Sequence, residues 1–168
     1  GMMRILGIDP GIAIVGFGVV DKNGNRYSTV EYGAITTPAH TPLENRLKTI
    51  YDEMTLLFAN FRPDAMSVEE LFFNSNAKTA IAVGQARGVI ILSAVENGVP
   101  IYEYTPLQVK QALTGYGRAS KMQIQQMMRT MLGLSEIPKP DDVADALAIA
   151  VCHGNSVRYN DILKGGRI

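Results

Sequence analysis

Residues 4–20 read RILGIDPGIAIVGFGVV, and this stretch decides the fold. Residues 4–8 and 12–20 are apolar and rich in branched side chains, which is typical of buried strands. The Asp-Pro-Gly sequence between them predicts a tight turn. A second turn and a third strand are predicted at 21–25 and 27–36. The first 36 residues therefore predict an antiparallel meander of three strands.

The rest of the chain alternates helical and strand-like segments. Apolar residues recur at helical spacing over about 42–60, and Pro63 ends that helix. Two more strands are predicted at 64–69 and 100–104, and further helices near 76–96, 106–113, 120–132 and 140–153. This order predicts an α/β fold of the ribonuclease-H-like kind, with a mixed five-stranded sheet and helices on both faces. We expect one domain over 1–154 and a flexible C-terminal tail over 155–168.

The composition of the chain argues against several classes of protein. The chain has 168 residues, enough for one domain, and its sixteen basic and sixteen acidic side chains cancel, which argues against a polybasic protein. Cys152 is the single cysteine, so neither an internal disulfide nor a cysteine zinc site is expected. The first residues run directly into a strand without a signal-peptide pattern. The longest apolar stretch, 80–95, includes Gln85 and Arg87 and is shorter than the ~20 residues of a membrane span. We expect a cytoplasmic protein with no membrane partner.

Four acidic residues form a candidate catalytic set. Asp9 and Glu69 each end an apolar strand, and Asp142 and Asp145 are three residues apart, on one face of the last helix. If the first and fourth strands are neighbours, the four carboxylates meet at one end of the sheet. Four carboxylates in a small space repel one another unless cations neutralise them. Two Mg²⁺ ions ~4 Å apart, which Mn²⁺ could replace, would do so and would hold the oxygens of a phosphodiester.

Each acidic residue also has a purely structural interpretation. Taken alone, Asp9 is more typical of a residue that starts a Pro-Gly turn, and Asp142 could interact with the helix dipole. Asp141 is better explained as a helix cap. Asp145 is harder to explain structurally, because small and apolar residues surround it. The isolated histidines, His40 and His153, are interpreted as structural or surface residues.

Five stretches, in this order, resemble the RuvC family of Holliday junction resolvases over nearly the whole chain. They are residues 5–11 (ILGIDPG), 68–72 (VEELF), 84–88 (GQARG), 104–111 and 142–148 (DVADALA). The resemblance implies a homodimeric, Mg²⁺-dependent endodeoxyribonuclease that acts in recombination and repair. Such an enzyme nicks two strands of like polarity symmetrically at a four-way DNA junction. The resemblance also implies a branch-migration motor complex as a partner.

The resemblance assigns roles to individual residues. The catalytic carboxylates of the family fall on the four acidic residues named above, and its catalytically important basic residues fall on Lys110 and Lys121. The aromatic residue used at the junction falls on Phe72. Departures from the family pattern at 134–140, at the turn beginning with Arg118, and in the tail leave the preferred cleavage sequence open.

The basic residues are concentrated in one part of the chain. Residues 71–135 hold six basic and two acidic side chains, and 104–135 hold no acidic residue. This region could follow a phosphate backbone, with Lys110, Arg118 and Lys121 as DNA-binding residues. Lys121 stands near a helix start, which suits an anion, and it could neutralise charge in the transition state.

The aromatic pair Phe72–Phe73 directly follows the strand of Glu69. Such a pair is usually core, but the polar segment 74–76 begins immediately after it. One ring is expected to pack inward and the other, Phe72, to stack on an unpaired base, which contributes ~1–3 kcal/mol.

Three other functions are compatible with parts of this pattern. The GIDPG turn also occurs in ATP-binding domains of the actin and sugar-kinase type, but those proteins need two such domains and this chain has room for one. A non-catalytic junction-binding protein would gain nothing from four carboxylates facing phosphate. A related nuclease that acts on RNA or on other branched DNA remains open, and a panel of substrates distinguishes it.

Overall fold

The computed structural model describes residues 1–70, 77–115 and 117–165. The strands are β1 (Met2–Asp9), β2 (Ile14–Asn23), β3 (Arg26–Thr36), β4 (Ala65–Glu69) and β5 (Ile101–Tyr104). The helices are α1 (Leu43–Phe61), α2 (Ala77–Glu96), α3 (Pro106–Thr114), α4 (Lys121–Met131) and α5 (Asp141–Gly165).

The strands form one mixed sheet in the order β3-β2-β1-β4-β5. β1 pairs antiparallel with β2, β2 pairs antiparallel with β3, and β1-β4-β5 are parallel. Gly24, with a φ of +64°, supplies the left-handed backbone that the β2–β3 hairpin needs. The predicted meander, the strand order that brings β1 beside β4, and the fold class are confirmed.

The sheet separates two apolar cores, because successive side chains of a strand point to opposite faces. Ile5 and Val20 pack with residues of α3, α4 and α5 on one face. Leu6 and Ile8 pack with residues of α1 and α2 on the other. Helices therefore cover both faces, as the sequence predicts.

Helix α5 lies directly on the sheet, and two glycines make this approach possible. A Cβ atom on Gly7 would lie 2.0 Å from the carbonyl oxygen of Ala146, and one on Gly16 would lie 2.1 Å from that of Asp142. No side chain fits at these positions, so the first turns of α5 rest against strand backbone.

The predicted end of the last helix at residue 153 is wrong, whereas the flexibility of the tail over 155–168 stays a prediction. Helix α5 continues to Gly165. The Lys22 ammonium donates to the carbonyl oxygen of Gly154, and the Tyr27 hydroxyl lies 2.8 Å from Oδ1 of Asn155. These partners belong to the β2–β3 hairpin, more than 120 residues away in sequence, so local periodicity could not reveal them.

Candidate active site

Strand pairing and the position of α5 bring the predicted carboxyl groups together. Ile8 pairs with Val68 across β1 and β4, so Asp9 and Glu69 end neighbouring parallel strands at the same edge. The first two turns of α5 carry Asp142 and Asp145 across this edge, with Asp142 against Gly16 of β2.

The carboxyl group of Asp9 is the centre of this cluster. Its side chain is largely removed from water and hydrogen-bonds with the carboxyl groups of both Asp145 and Glu69. Burial, followed by the negative charges of Glu69, Asp145 and Asp142, raises the pKa of Asp9 to about 9. In the protein without bound cations, Asp9 is therefore protonated at neutral pH, and it donates its single carboxyl proton to one acidic neighbour at a time.

The pKa values of Glu69 and Asp145, the two neighbours of Asp9, are also raised. Burial, and then the charge of Asp145, raises the pKa of Glu69, although the hydrogen bond with Asp9 and the Lys121 ammonium oppose the increase. Burial raises the pKa of Asp145, and Lys121 again opposes the increase. Perturbed carboxyl groups that gather at one point of the surface are typical of functional sites.

Lys121, the first residue of α4, is the cation beside the carboxyl cluster. Its Nζ atom lies 3.5 Å from Oδ2 of Asp141 and 3.7 Å from Oδ2 of Asp145. Burial lowers the pKa of Lys121, but the charges of Asp145, Asp141 and Asp142 outweigh burial, so its pKa is raised overall. Lys121 therefore keeps its positive charge, as the sequence-based role requires.

A cavity of about 210 Å³ opens beside the cluster, between α3, α4 and α5. Glu69 and Asp145 form one side, the lysines 110 and 121 contribute positive charge, and the remaining lining is mostly apolar: Pro106, Val109, Ile124, Ala148 and Ile149. The structure thus brings Lys110 to the same site as Lys121. Arg118 is exposed in the turn before α4 and, among the described residues, is not part of this lining. Phe72 lies outside the described residues.

The chemistry of the donors suits a hard divalent cation, since carboxylate oxygens are the ligands that Mg²⁺ prefers. The high pKa of Asp9 supports this assignment, because a nearby cation would offset both the burial of its charged form and the repulsion from its acidic neighbours. As the side chains stand, no three Asp, Glu, His or Cys residues within the described ranges form a group that could hold an ion. Hydrogen bonds join Asp9 to Asp145 and to Glu69, so metal binding requires deprotonation of Asp9.

Sequence reasoning missed Arg87, which contacts the main chain of the site. From α2, its Nη2 atom lies 2.8 Å from the carboxylate of Glu103, and its Nε atom lies 3.5 Å from the carbonyl oxygen of Glu69. The available signal was a lone arginine in an apolar helix. It also missed the buried hydrogen bond of 2.7 Å between the Tyr104 hydroxyl and Nδ1 of His153.

The family model for the crossover junction endodeoxyribonuclease RuvC matches residues 5–153. The chain belongs to the RuvC family. A RuvC from Desulfitobacterium hafniense is 61% identical over 97% of this chain and 99% of its own length. A RuvC from Clostridioides difficile is 53% identical over 98% of this chain and 99% of its own length. The resemblance found in the sequence is confirmed, and with it the assignment to a family of endodeoxyribonucleases.

Solved RuvC structures share this fold. The structure of Thermus thermophilus RuvC in complex with Holliday junction substrate has a TM-score of 0.90 and 41% sequence identity, covering 94% of this chain and 96% of that one. The yeast mitochondrial Holliday junction resolvase has a TM-score of 0.67 at 14% identity, covering 97% of this chain and 86% of that one, and it supports the fold alone.

Proposed function

We propose that this RuvC-family chain resolves four-way DNA junctions by paired, symmetric, metal-dependent nicks. The convergence of Asp9, Glu69, Asp142 and Asp145 from two strands and one helix carries the proposal. It is supported by the raised pKa of Asp9, which is caused first by burial and then by the negative charges of the other three groups, the charges that a bound cation would neutralise.

The four carboxylates would hold two Mg²⁺ ions, and Mn²⁺ could take their place. When bound, such ions lower the pKa of an attacking water and stabilise the departing oxygen. Asp9 would lose its proton when these ions bind, and Glu69 and Asp145 would then no longer accept hydrogen bonds from it. The lysine at position 121, beside Asp145, stabilises the negative charge that develops on the phosphoryl oxygens.

The DNA would follow the basic surface around the cavity. Lys110 and Lys121 face the scissile phosphate from α3 and α4, and Arg118 extends this surface from the turn between them. Phe72, which follows the strand of Glu69 in sequence, would stack on a base of an opened junction.

A second copy of this chain would bind along α2. Ile81, Leu92 and Val95 are 62%, 52% and 62% exposed, and they form one stripe with exposed Gln85 and Gly88 at spacings of three and four residues. That spacing is typical of a helix seam between subunits. Two nicks related by symmetry need two sites, and a twofold dimer supplies both.

Gly88 supports the same interface. A Cβ atom on Gly88 would meet nothing within 4 Å, so nothing in the described part of this chain requires glycine there. Glycine inside a helix costs about 1 kcal/mol relative to alanine. A partner helix that approaches closely at Gly88 would explain why that cost is retained.

By length and composition alone, Thr79–Glu96 could also cross a membrane, and 22% of this segment is buried. Arg87, inside the segment, is paired with Glu103 of the sheet, which supports α2 as a helix packed on the domain. We propose a cytoplasmic location, where a branch-migration motor could act on the same junction.

Cleavage of a mobile four-way junction tests the catalytic proposal. The wild-type protein should cut two strands symmetrically in Mg²⁺ and leave a matched linear duplex intact. Cleavage should be absent in EDTA and at least about 100-fold slower in Glu69→Gln, which loses a metal-ligand charge. Glu70→Gln is the matched control, because Glu70 is the adjacent carboxylate and is exposed. Tight junction binding without cleavage, in Mn²⁺ as well and with several junction sequences, would refute the proposal. Preferential cutting of RNA or of another branched DNA would instead indicate a related nuclease that acts on that substrate.

Sedimentation velocity tests the dimer. Leu92→Asp places a charge in the stripe and should yield monomers, whereas Val30→Asp, at an exposed apolar residue of β3, should not. Gly88→Leu should also yield monomers while leaving the fold intact. A wild-type protein that is monomeric at micromolar concentration, or a dimeric Leu92→Asp variant, would contradict this interface.

A further inference from the structure

We propose that Arg87 and Glu103 are positioning residues, which fix the main chain of Glu69 so that its carboxyl group can bind a cation. This inference rests on the proposed metal-dependent function and extends it to residues outside the carboxyl cluster. Neither residue touches the cavity or the other carboxyl groups of the site.

Arg87 joins the carboxylate of Glu103 to the main chain of Glu69, and we call this pair of contacts the clamp. The Arg87 guanidinium lies 2.8 Å from the Glu103 carboxylate through Nη2, and its Nε donates over 3.5 Å to the carbonyl oxygen of Glu69. The Arg87 side chain is 16% exposed and the Glu103 side chain is 44% exposed, so solvent reaches the pair from the carboxylate end but largely not from the guanidinium end. A planar guanidinium can serve both acceptors in one fixed orientation, which an ammonium cannot.

The clamp acts on the face of the sheet opposite to the carboxyl cluster. Val68 packs in the core on the α2 side, and since strand residues alternate, the Glu69 side chain points toward α5. Glu103 is the pairing partner of Val68, so it shares the α2 side with Arg87. The Glu69 side chain can therefore bind a metal on the α5 side of the sheet, while Arg87 contacts its main chain from the α2 side.

The position of Glu69 in the ladder explains why such a contact is needed. The last β1–β4 pair is Ile8 with Val68, so Glu69 lies one residue beyond the last residue of β4 that is paired with β1. On its other side Glu69 pairs with Tyr104, at the last residue of β5. A strand end is less constrained than its middle, and contacts that orient a metal ligand from outside its coordination shell typically matter 10–100-fold for affinity or activity.

Arg87→Ala should weaken metal binding and leave DNA binding unchanged. We expect the Mg²⁺ concentration for half-maximal junction cleavage to rise about 10–100-fold. Mn²⁺ binding without DNA, measured from the EPR signal of the free ion, should weaken by the same factor. The Kd for the junction, measured without divalent cations, should stay within about twofold, because no phosphate contact is lost. Arg87→Lys and Glu103→Gln each retain part of the clamp and should give smaller shifts of the same sign.

Arg4 provides a matched control. It also pairs with a carboxylate and a main-chain carbonyl: Nε lies 2.8 Å from Oδ1 of Asp21 and Nη1 lies 3.0 Å from the carbonyl oxygen of Phe61. It stands near the start of β1, at the opposite end from Asp9. Arg4→Ala should lower the melting temperature but leave the Mn²⁺ affinity as in the wild type.

The outcomes separate this inference from the proposed function. Weaker Mn²⁺ binding in the Arg87 and Glu103 variants, but not in Arg4→Ala, would support the clamp. Unchanged Mn²⁺ affinity in Arg87→Lys and Glu103→Gln, equal losses in Arg87→Ala and Arg4→Ala, or a monomeric Arg87→Lys would overturn it while the catalytic proposal stands. A wild-type protein that binds no Mn²⁺ would overturn both.

Discussion

Replacing Gly16 by alanine should separate α5 from the sheet and impair the site from a distance. The added Cβ atom would lie 2.1 Å from the carbonyl oxygen of Asp142 and 2.4 Å from its carbonyl carbon. Both are main-chain atoms of the first turn of α5, so no rotamer change can relieve the contact. Real Cβ contacts are essentially never shorter than 3.0 Å, so the first turn must move by about 1 Å.

This displacement sets the size of the expected effect. Overpacking of this kind costs about 1–3 kcal/mol of stability. A shift of about 1 Å in positioned groups can cost about 100-fold in rate. Asp142 moves with the first turn, and Asp145 follows one turn later. We therefore expect junction cleavage to fall about 100-fold in a protein that still folds.

Gly18→Ala, two residues along the same strand, is the matched control. Its Cβ would lie 2.6 Å from Cδ2 and 2.8 Å from Cγ of Leu147, so most of its overlap is with a side chain. Both variants should lose stability in urea titrations, but Gly18→Ala should keep much more cleavage activity. Single-turnover cleavage at saturating Mg²⁺ compares the two. Equal rates in the two variants, or a crystal structure of Gly16→Ala with α5 in place, would refute this reasoning.

Three further predictions concern charge and burial. Because the pKa of Asp9 rises from its ordinary value near 4 to about 9 on folding, the folded protein in EDTA retains a proton that the unfolded chain releases, and its free energy of unfolding should fall as pH rises from 4 to 9. Urea titrations at pH 5, 7 and 9 should show a weaker dependence in Asp9→Asn; the wild-type slope in that variant would contradict the assignment. Lys121→Met should slow cleavage about 100-fold and change stability by less than about 1 kcal/mol. The control Lys48→Met, which breaks an exposed ion pair, should have an equally small effect on stability and no effect on the cleavage rate. A Lys121→Met enzyme of normal rate would exclude the proposed role. Tyr104→Phe deprives the buried His153 of its hydrogen-bond partner and should cost about 1–3 kcal/mol in urea titrations, and a loss below about 0.5 kcal/mol would show that another group replaces the hydroxyl.

The sheet and the carboxyl set were predictable because their signals are local. Apolar segments with turn residues between them revealed all five strands, and residues that end buried strands revealed Asp9 and Glu69. The spacing of the two aspartates on α5 placed them on one helix face. These inferences need only strand and helix periodicity and one assumption, that β1 and β4 are neighbours, which the structure confirms.

The features that were not predicted from the sequence depend on contacts between distant parts of the chain. Lys22 and Tyr27 contact α5 at Gly154 and Asn155, and Arg87 pairs with Glu103 of another element. The hydrogen bonds of Asp9 with its acidic neighbours form because these side chains, although distant in sequence, are close together in the folded protein. None of these features leaves a periodic trace in sequence, so they appear only once the elements are packed.

The placement of α5 also has a consequence for biosynthesis. The strands that carry Asp9 and Glu69 are translated before the helix that carries Asp142 and Asp145. A truncated product that stops before residue 140 has the sheet but only half of the acidic set. Its glycine-lined surface, where α5 should dock, would be open to water. The ability to cut DNA would therefore arise only after α5 has been synthesised, and chains that terminate before α5 would lack it.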